Sequence, residues 1–212
     1  EALPPHDQEE VLCYDLTTKP QALYDALTTH PESLAQNLGV DHFPCPVIMV
    51  GGTNGKGSCV HALENIYLAA GFRVGTYTSP HLLRFNERLR INGIDVSDDA
   101  LIQAFARVEK NRGKTPLSFF EFTTLAILLL LKEAALDVMV LEVGLGGRLD
   151  AVNCVEPDIT VITSVSIDHT DWLGSDRESI GGEKAGIFRL GKPIVCGDIS
   201  PPQTSKNYLW YK

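Results

Sequence analysis

The segment Gly52-Thr53-Asn54-Gly55-Lys56-Gly57-Ser58 has the residue types that hold phosphate. Its glycines let main-chain N–H groups crowd an anion with no Cβ in the way. A helix starting there adds the positive end of its dipole. Lys56 can reach the outer phosphates of a nucleotide, and the Ser58 hydroxyl can serve a phosphate or its metal ion. The spacing is not the strict GxxxxGK[ST] pattern, because Val50 stands where the first glycine belongs and Gly57 directly follows the lysine. The bland alternative is a glycine-rich turn with a solvated lysine.

Three further residues could hold a cation. Glu142 ends the apolar run Val138-Met139-Val140-Leu141, and a carboxylate at a strand end can bind Mg2+ directly or through water. The alternative is a helix-capping or ion-paired carboxylate. Ser79, in Thr78-Ser79-Pro80-His81, offers a weak hydroxyl ligand; taken alone it reads as a turn serine before a proline. His169, in Ile167-Asp168-His169, taken alone reads as a hydrogen-bonded turn residue. Imidazole is an unusual partner for Mg2+ and suits Mn2+ as well. The run Gly144-Leu145-Gly146-Gly147-Arg148 is not a dinucleotide fingerprint, since the third glycine of GxGxxG would fall at Leu149.

The elements that must position these residues alternate in type. Short apolar runs at 46–50, 74–78, 137–143, 158–163 and 193–196 read as strands. Helical patterns cover 20–38 (Leu23, Leu27, Leu34), 56–70 (Val60, Leu63, Ile66, Tyr67, Ala70), 98–110, 119–135 and 177–189. Gly71 stops the second of these helices. Ser97 starts the third, and Ser118-x-x-Glu121 is a capping box for the fourth. The stretch 79–92 is polar and carries Arg84, Arg88 and Arg90. The order predicts an α/β fold with a mainly parallel sheet and helices on both faces, like the P-loop NTPases. Residues 1–46 read as a lead-in with one helix, 47–199 as a nucleotide-binding domain, and 200–212 as an atypical tail without periodicity.

Composition sets the boundaries. With 212 residues, 44% of them hydrophobic, the chain can bury a core without staples. A net charge of −9 argues against a general nucleic-acid partner. The apolar run Leu125 to Leu131 is far too short to span a bilayer. Cys13, Cys45, Cys59, Cys154 and Cys196 are odd in number and form no CxxC pair, so a reducing cytoplasmic setting is expected. No signal peptide is visible, and the start at Glu1 suggests a piece of something longer.

Several blocks, in order, resemble the folylpolyglutamate synthase family of the Mur ligase superfamily, in its bacterial form that also has dihydrofolate synthase activity. They are Gly52–Ser58, Tyr77–Leu82, Arg84–Arg88, Phe119–Glu121, Leu141–Asp150, Asp168–Gly174 and Glu183–Ile187. The resemblance implies the Mur ligase central domain. It also implies ATP-dependent ligation of L-glutamate to dihydropteroate or folate through an acyl phosphate, in a protein that is monomeric when full length. It implies ATP binding by Gly52–Ser58, with Lys56, Lys184 and His169 as catalytic residues. Ser79, Glu142, His169 and a carbamylated Lys184 would hold two Mg2+ ions, with Mn2+ as the alternative. The pterin site would draw on Ser118, Phe119, Phe120 and Glu121 and on Leu149, Asp150 and Ala151. The family's D-A-T-N appears here as Asp150-Ala151-Val152-Asn153, and its N-terminal pterin loop is not recognisable in 1–46. The family's C-terminal glutamate-binding domain has no counterpart, so this chain alone is expected to be poorly active. The rivals are another Mur-type amino-acid ligase, an inactive nucleotide-binding fragment, and a generic P-loop switch.

Overall fold

The computed structural model describes residues 31–209. Leu23 and Leu27, on the expected first helix, lie outside the described residues; its described part is α1 (Pro31–Leu38), with Leu34 buried. Then follow β1 (Val47–Gly51), α2 (Lys56–Ala69), β2 (Val74–Tyr77), β3 (Leu89–Ile91), β4 (Ile94–Asp95), α3 (Asp98–Arg112) and α4 (Phe119–Glu133). The chain continues through β5 (Val138–Glu142), β6 (Ile159–Ile162), α5 (Thr170–Leu173), α6 (Arg177–Ala185), β7 (Ile194–Cys196) and α7 (Gln203–Leu209). Among the described residues one sheet runs β4-β3-β2-β5-β1-β6-β7. Strands β2, β5, β1, β6 and β7 are mutually parallel, and β3 and β4 are antiparallel additions at one edge. The expected α/β class with a mainly parallel sheet is what the chain forms.

The strand sequences explain the layering. Strands β1 and β5 are buried along their whole length, as apolar strands covered on both faces must be. Alternate residues point to opposite faces. Val47, Met49, Met139 and Leu141 enter a core with α1, α3 and α4, whereas Ile48, Val50, Val138 and Val140 enter a second core with Val60 of α2. Each such side chain contributes about 1.5–3 kcal/mol on burial. Helix α4 is the most buried, from Leu125 through Leu129.

Three local expectations change. On α2, Val60 is buried and Leu63 and Tyr67 are half-buried, but Ile66 faces solvent, as does Ala70, which caps the helix just past its end. The polar stretch 79–92 contains a short 3-10 turn (Phe85–Arg88) and most of a hairpin, β3–β4. Asn92 and Gly93, with φ of 53° and 77°, make its two-residue turn. Residues 203–209 are helical rather than irregular. The Glu178 carboxylate accepts hydrogen bonds from the N–H groups of Gln203 and Thr204, and buried Ser205 donates to the Gly181 carbonyl.

Candidate functional site

The parallel order puts β5 between β1 and β2, with Val50 and Glu142 in register. The phosphate-type loop leaves β1, Glu142 ends β5, and Ser79 lies just beyond β2. All three therefore gather at the carboxyl edge, where open α/β sheets hold ligands.

The loop is closely held from one side. Gly52 has φ +142°, and a Cβ on it would run into Thr163 Oγ1. The Thr53 N–H donates to the Ser164 carbonyl (2.8 Å) and the Asn54 N–H to the Ser164 hydroxyl (3.2 Å). Helix α2 then begins at Lys56 after Gly55, which offers no side-chain cap. The first-turn N–H groups have no partner within their own helix, which suits an anion. Lys56 Nζ folds back onto the carbonyls of Gly52 (3.1 Å) and Thr53 (3.4 Å).

Glu142 is buried, and among the described residues its carboxylate accepts one hydrogen bond, from the Ser79 N–H at 3.1 Å. Burial raises its pKa, against the Ser79 hydrogen bond and the Lys56 cation. A Cβ built on Gly57 would stand 3.7 Å from Glu142 Oε2. The lysine-bearing loop and the acidic strand end thus share one cleft. A carboxylate and a hydroxyl are hard oxygen donors of the kind Mg2+ takes, together with phosphates and waters. Among the described residues no three His, Cys, Asp or Glu side chains converge into a metal cage.

The other sequence candidates fall into two groups. Lys184, on α6, is buried, and its pKa is lowered to about 8 by desolvation and then by the Lys56 cation, against the pull of Asp168 and Asp150. It therefore belongs to the electrostatic neighbourhood of Lys56. His169 is exposed, left-handed at φ 48°, and stands at the start of α5 beside Asp168, 3.6 Å from its carboxylate.

The aromatic segment and the Leu149–Ala151 segment meet at Gly144. A Cβ on Gly144 would come within 2.6 Å of the Phe120 ring and 3.2 Å of Asp150 Oδ2. Phe120 stacks on Tyr77 at 6.3 Å, and Phe119 and Leu149 are partly exposed. Ser118 and Glu121 form the expected capping box, with the Glu121 carboxylate accepting the Ser118 N–H at 2.7 Å. Glu121 is thereby a helix cap. Asp150 accepts the N–H groups of Leu145 (2.8 Å) and Val152 (3.0 Å), and Ala151 opens the next turn. Burial raises Asp150 to about 6 in spite of these bonds.

Sequence reasoning missed two features. Arg88 is buried; its Nε donates to His81 Nδ1 (2.9 Å), and its guanidinium lies over Phe85 (5.1 Å) and Phe119 (5.8 Å). Residues 163–166, which brace the loop, have no element of their own and no motif. Arg88 has a single aromatic residue near it in sequence, Phe85, and meets Phe119 through the fold; Ser164 left no signal either.

The Mur ligase middle domain family matches residues 50–196. The dihydrofolate synthase/folylpolyglutamate synthase of Escherichia coli K12 is 54% identical over 172 residues, 81% of this chain and 40% of that protein. The protein of the same name from Bacillus subtilis is 42% identical, over 72% of this chain and 37% of its own length. Among solved structures, Escherichia coli FolC in complex with DHPP and ADP superposes with a TM-score of 0.83 at 50% identity, over 86% of this chain and 44% of that one. The bifunctional enzyme from Yersinia pestis complexed with AMPPNP and Mn gives 0.82 at 52% identity, over 85% and 44%. The chain spans about 40% of the length of the curated relatives it matches.

Proposed function

The chain belongs to the Mur ligase family by its middle domain, and on that premise we propose that it is the ATP-binding part of a ligase joining L-glutamate to dihydropteroate or folate. The observation that carries this reading is the single cleft holding Lys56, the start of α2 and Glu142. The curated relatives reported above are named dihydrofolate synthase/folylpolyglutamate synthase, and solved relatives hold ADP, AMPPNP and Mn.

In this proposal residues 47–199 bind the nucleotide. Gly52–Ser58 surround the phosphates, and Lys56 turns from its own loop carbonyls to the outer phosphates. The acceptor carboxylate attacks the γ-phosphorus; a bond to the carboxylate oxygen forms and the bond to ADP breaks. The glutamate amine then attacks the acyl carbon, phosphate leaves with the carbonyl-bound oxygen, and the amine proton passes to solvent. Both steps depend mainly on positioning and charge.

Ser79 and Glu142 would hold one divalent cation, and His169 with Lys184 a second. Bound Mg2+ or Mn2+ offsets the repulsion between acceptor carboxylate and γ-phosphate. With its pKa near 8, Lys184 has neutral amine available to take up CO2 as a carbamate, losing a proton, and so to become an oxygen donor. Phe119, Phe120, Leu149, Asp150 and Ala151 are assigned to the flat ring of the acceptor, and Ser118 and Glu121 to fixing that wall.

The glutamate site, monomeric state and cytoplasmic setting are part of the same proposal; the free Cys45, Cys59 and Cys196 support a reducing compartment. Among the described residues no helix is long and apolar enough to cross a membrane.

The test is glutamate-dependent ADP release by a protein carrying this chain with the remaining length of its relatives. Pteroate or folate should support release, and a UDP-sugar acceptor should not. The reverse preference would assign the chain to another branch of the Mur ligases.

A further inference from the structure

We propose that Ser164 is a positioning residue that ties the phosphate loop to the segment bearing Asp168 and His169, so that nucleotide at the loop is sensed at that tip. The inference rests on the nucleotide reading above.

Residues 163–166 belong to no helix or strand, yet they are bonded on both sides. Toward the loop, Ser164 makes three hydrogen bonds: its carbonyl accepts the Thr53 N–H, and its hydroxyl accepts the Asn54 N–H and donates to the Asn54 carbonyl (3.3 Å). Thr53 and Ser166 exchange a reciprocal pair, Thr53 Oγ1 to the Ser166 carbonyl (3.2 Å) and Ser166 N–H to Thr53 Oγ1 (3.0 Å). On the far side, the Val165 N–H donates to Asp198 Oδ2 (2.7 Å), and Arg177 Nε donates to the Val165 carbonyl (2.8 Å). Arg177 opens α6, the helix that carries Lys184.

The segment is therefore a strap between the phosphate loop and the supports of two other candidate residues. His169 follows it by three residues. Contiguous hydrogen-bonded contacts of this kind can transmit a local shift only if their two ends are fixed to the things that move. Here one end is the loop backbone itself, through the amides of Thr53 and Asn54. Those amides are engaged with Ser164, so an anion that rearranges the loop must also pull on the strap.

Trp172 reports on the tip. It lies on α5, is about half exposed, and its backbone N–H donates to the His169 carbonyl at 2.9 Å. The experiment uses the full chain with Trp210→Phe, so that Trp172 is the remaining tryptophan. ADP binding is measured by calorimetry, and Trp172 emission is followed at saturating ADP. In the otherwise unchanged chain, ADP binds and shifts the emission. In Ser164→Ala, ADP still binds but the emission change is lost. Ser164→Thr, which keeps the hydroxyl, retains it, and the three proteins share one thermal midpoint. ADP binding with silent Trp172 in the unchanged chain overturns the strap and leaves the nucleotide reading intact. An equal response in Ser164→Ala overturns it too, as does loss in both Ser164 variants together with a lowered midpoint. Absence of calorimetric ADP binding overturns the nucleotide reading and the strap with it.

Discussion

At the amino ends of β5 and β6, Asp137 and Asp158 are paired with cationic side chains; at and past the carboxyl end of β5, Glu142 and Asp150 are held by backbone N–H groups instead. Asp137, before β5, receives the Arg73 guanidinium at 2.7 and 3.0 Å and the Arg73 N–H at 2.8 Å, which holds its pKa down at about 2. Asp158, before β6, receives Lys192 Nζ (2.8 Å) and the Val47 N–H (3.0 Å), and its pKa is lowered as well. Across the sheet, burial raises Glu142 and Asp150 and depresses Lys184. One edge uses charge to close the fold. The other keeps charge under strain, as a surface built for a polyanion and its cations would.

That contrast can be broken most severely at Lys56. Lys56→Ala removes the cation that steadies Glu142 and Asp150 and reaches the phosphates. ADP affinity by calorimetry should fall roughly 10- to 150-fold, the range for losing a hydrogen bond to a charged group, while the thermal midpoint stays near that of the unchanged chain. A large fall in midpoint with intact ADP binding would reverse the roles of the two edges.

Ser118→Ala is a smaller change, confined to the cap of α4. It should cost about 1 kcal/mol in denaturant unfolding. ADP affinity should be unchanged, because the cap shapes the acceptor wall rather than the phosphate loop.

The two edges should also respond to pH with opposite signs. The folded state raises Asp150 from 3.8 to about 6, so it binds that proton more tightly than the unfolded chain does. Stability therefore declines as pH rises from about 4 to about 6, and Asp150→Asn should flatten that decline in pH-dependent unfolding. Asp137 is the mirror case. Its contribution is present above 3.8 and is lost as pH falls toward about 2. Asp137→Asn should remove this acid-side loss. The effect should be the smallest of the series, because the pair is exposed and screened. Identical slopes in both variants would erase the distinction between the edges.

The legible part of the molecule was local. Apolar runs such as Val47–Val50 and Val138–Leu141 announce doubly covered strands because every residue is buried. The order strand, glycine loop, lysine and helix likewise identifies its own geometry. Ser118 and Glu121 are three residues apart, so their cap is written in the spacing.

What escaped was short or non-local. Strands β3 and β4 are only three and two residues long, below any periodicity, although Asn92-Gly93 was a hairpin signal in plain view. The exposed Ile66 shows that an apolar residue near a helical stripe need not be on it. Asp150 and Phe120 meet only through Gly144, and Thr53 meets Ser164 across 111 positions of chain. Such contacts follow from strand order, which no single segment encodes.

The central claim is that Lys56 and Glu142 serve one phosphate cleft bridged by a divalent cation. Calorimetric titration of ADP into the chain with and without Mg2+, repeated for Glu142→Gln, tests it most directly. The account predicts that Mg2+ tightens ADP binding in the unchanged chain and has little effect in Glu142→Gln, which folds at least as stably because a buried charge is gone. Equal tightening by Mg2+ in both proteins would contradict it.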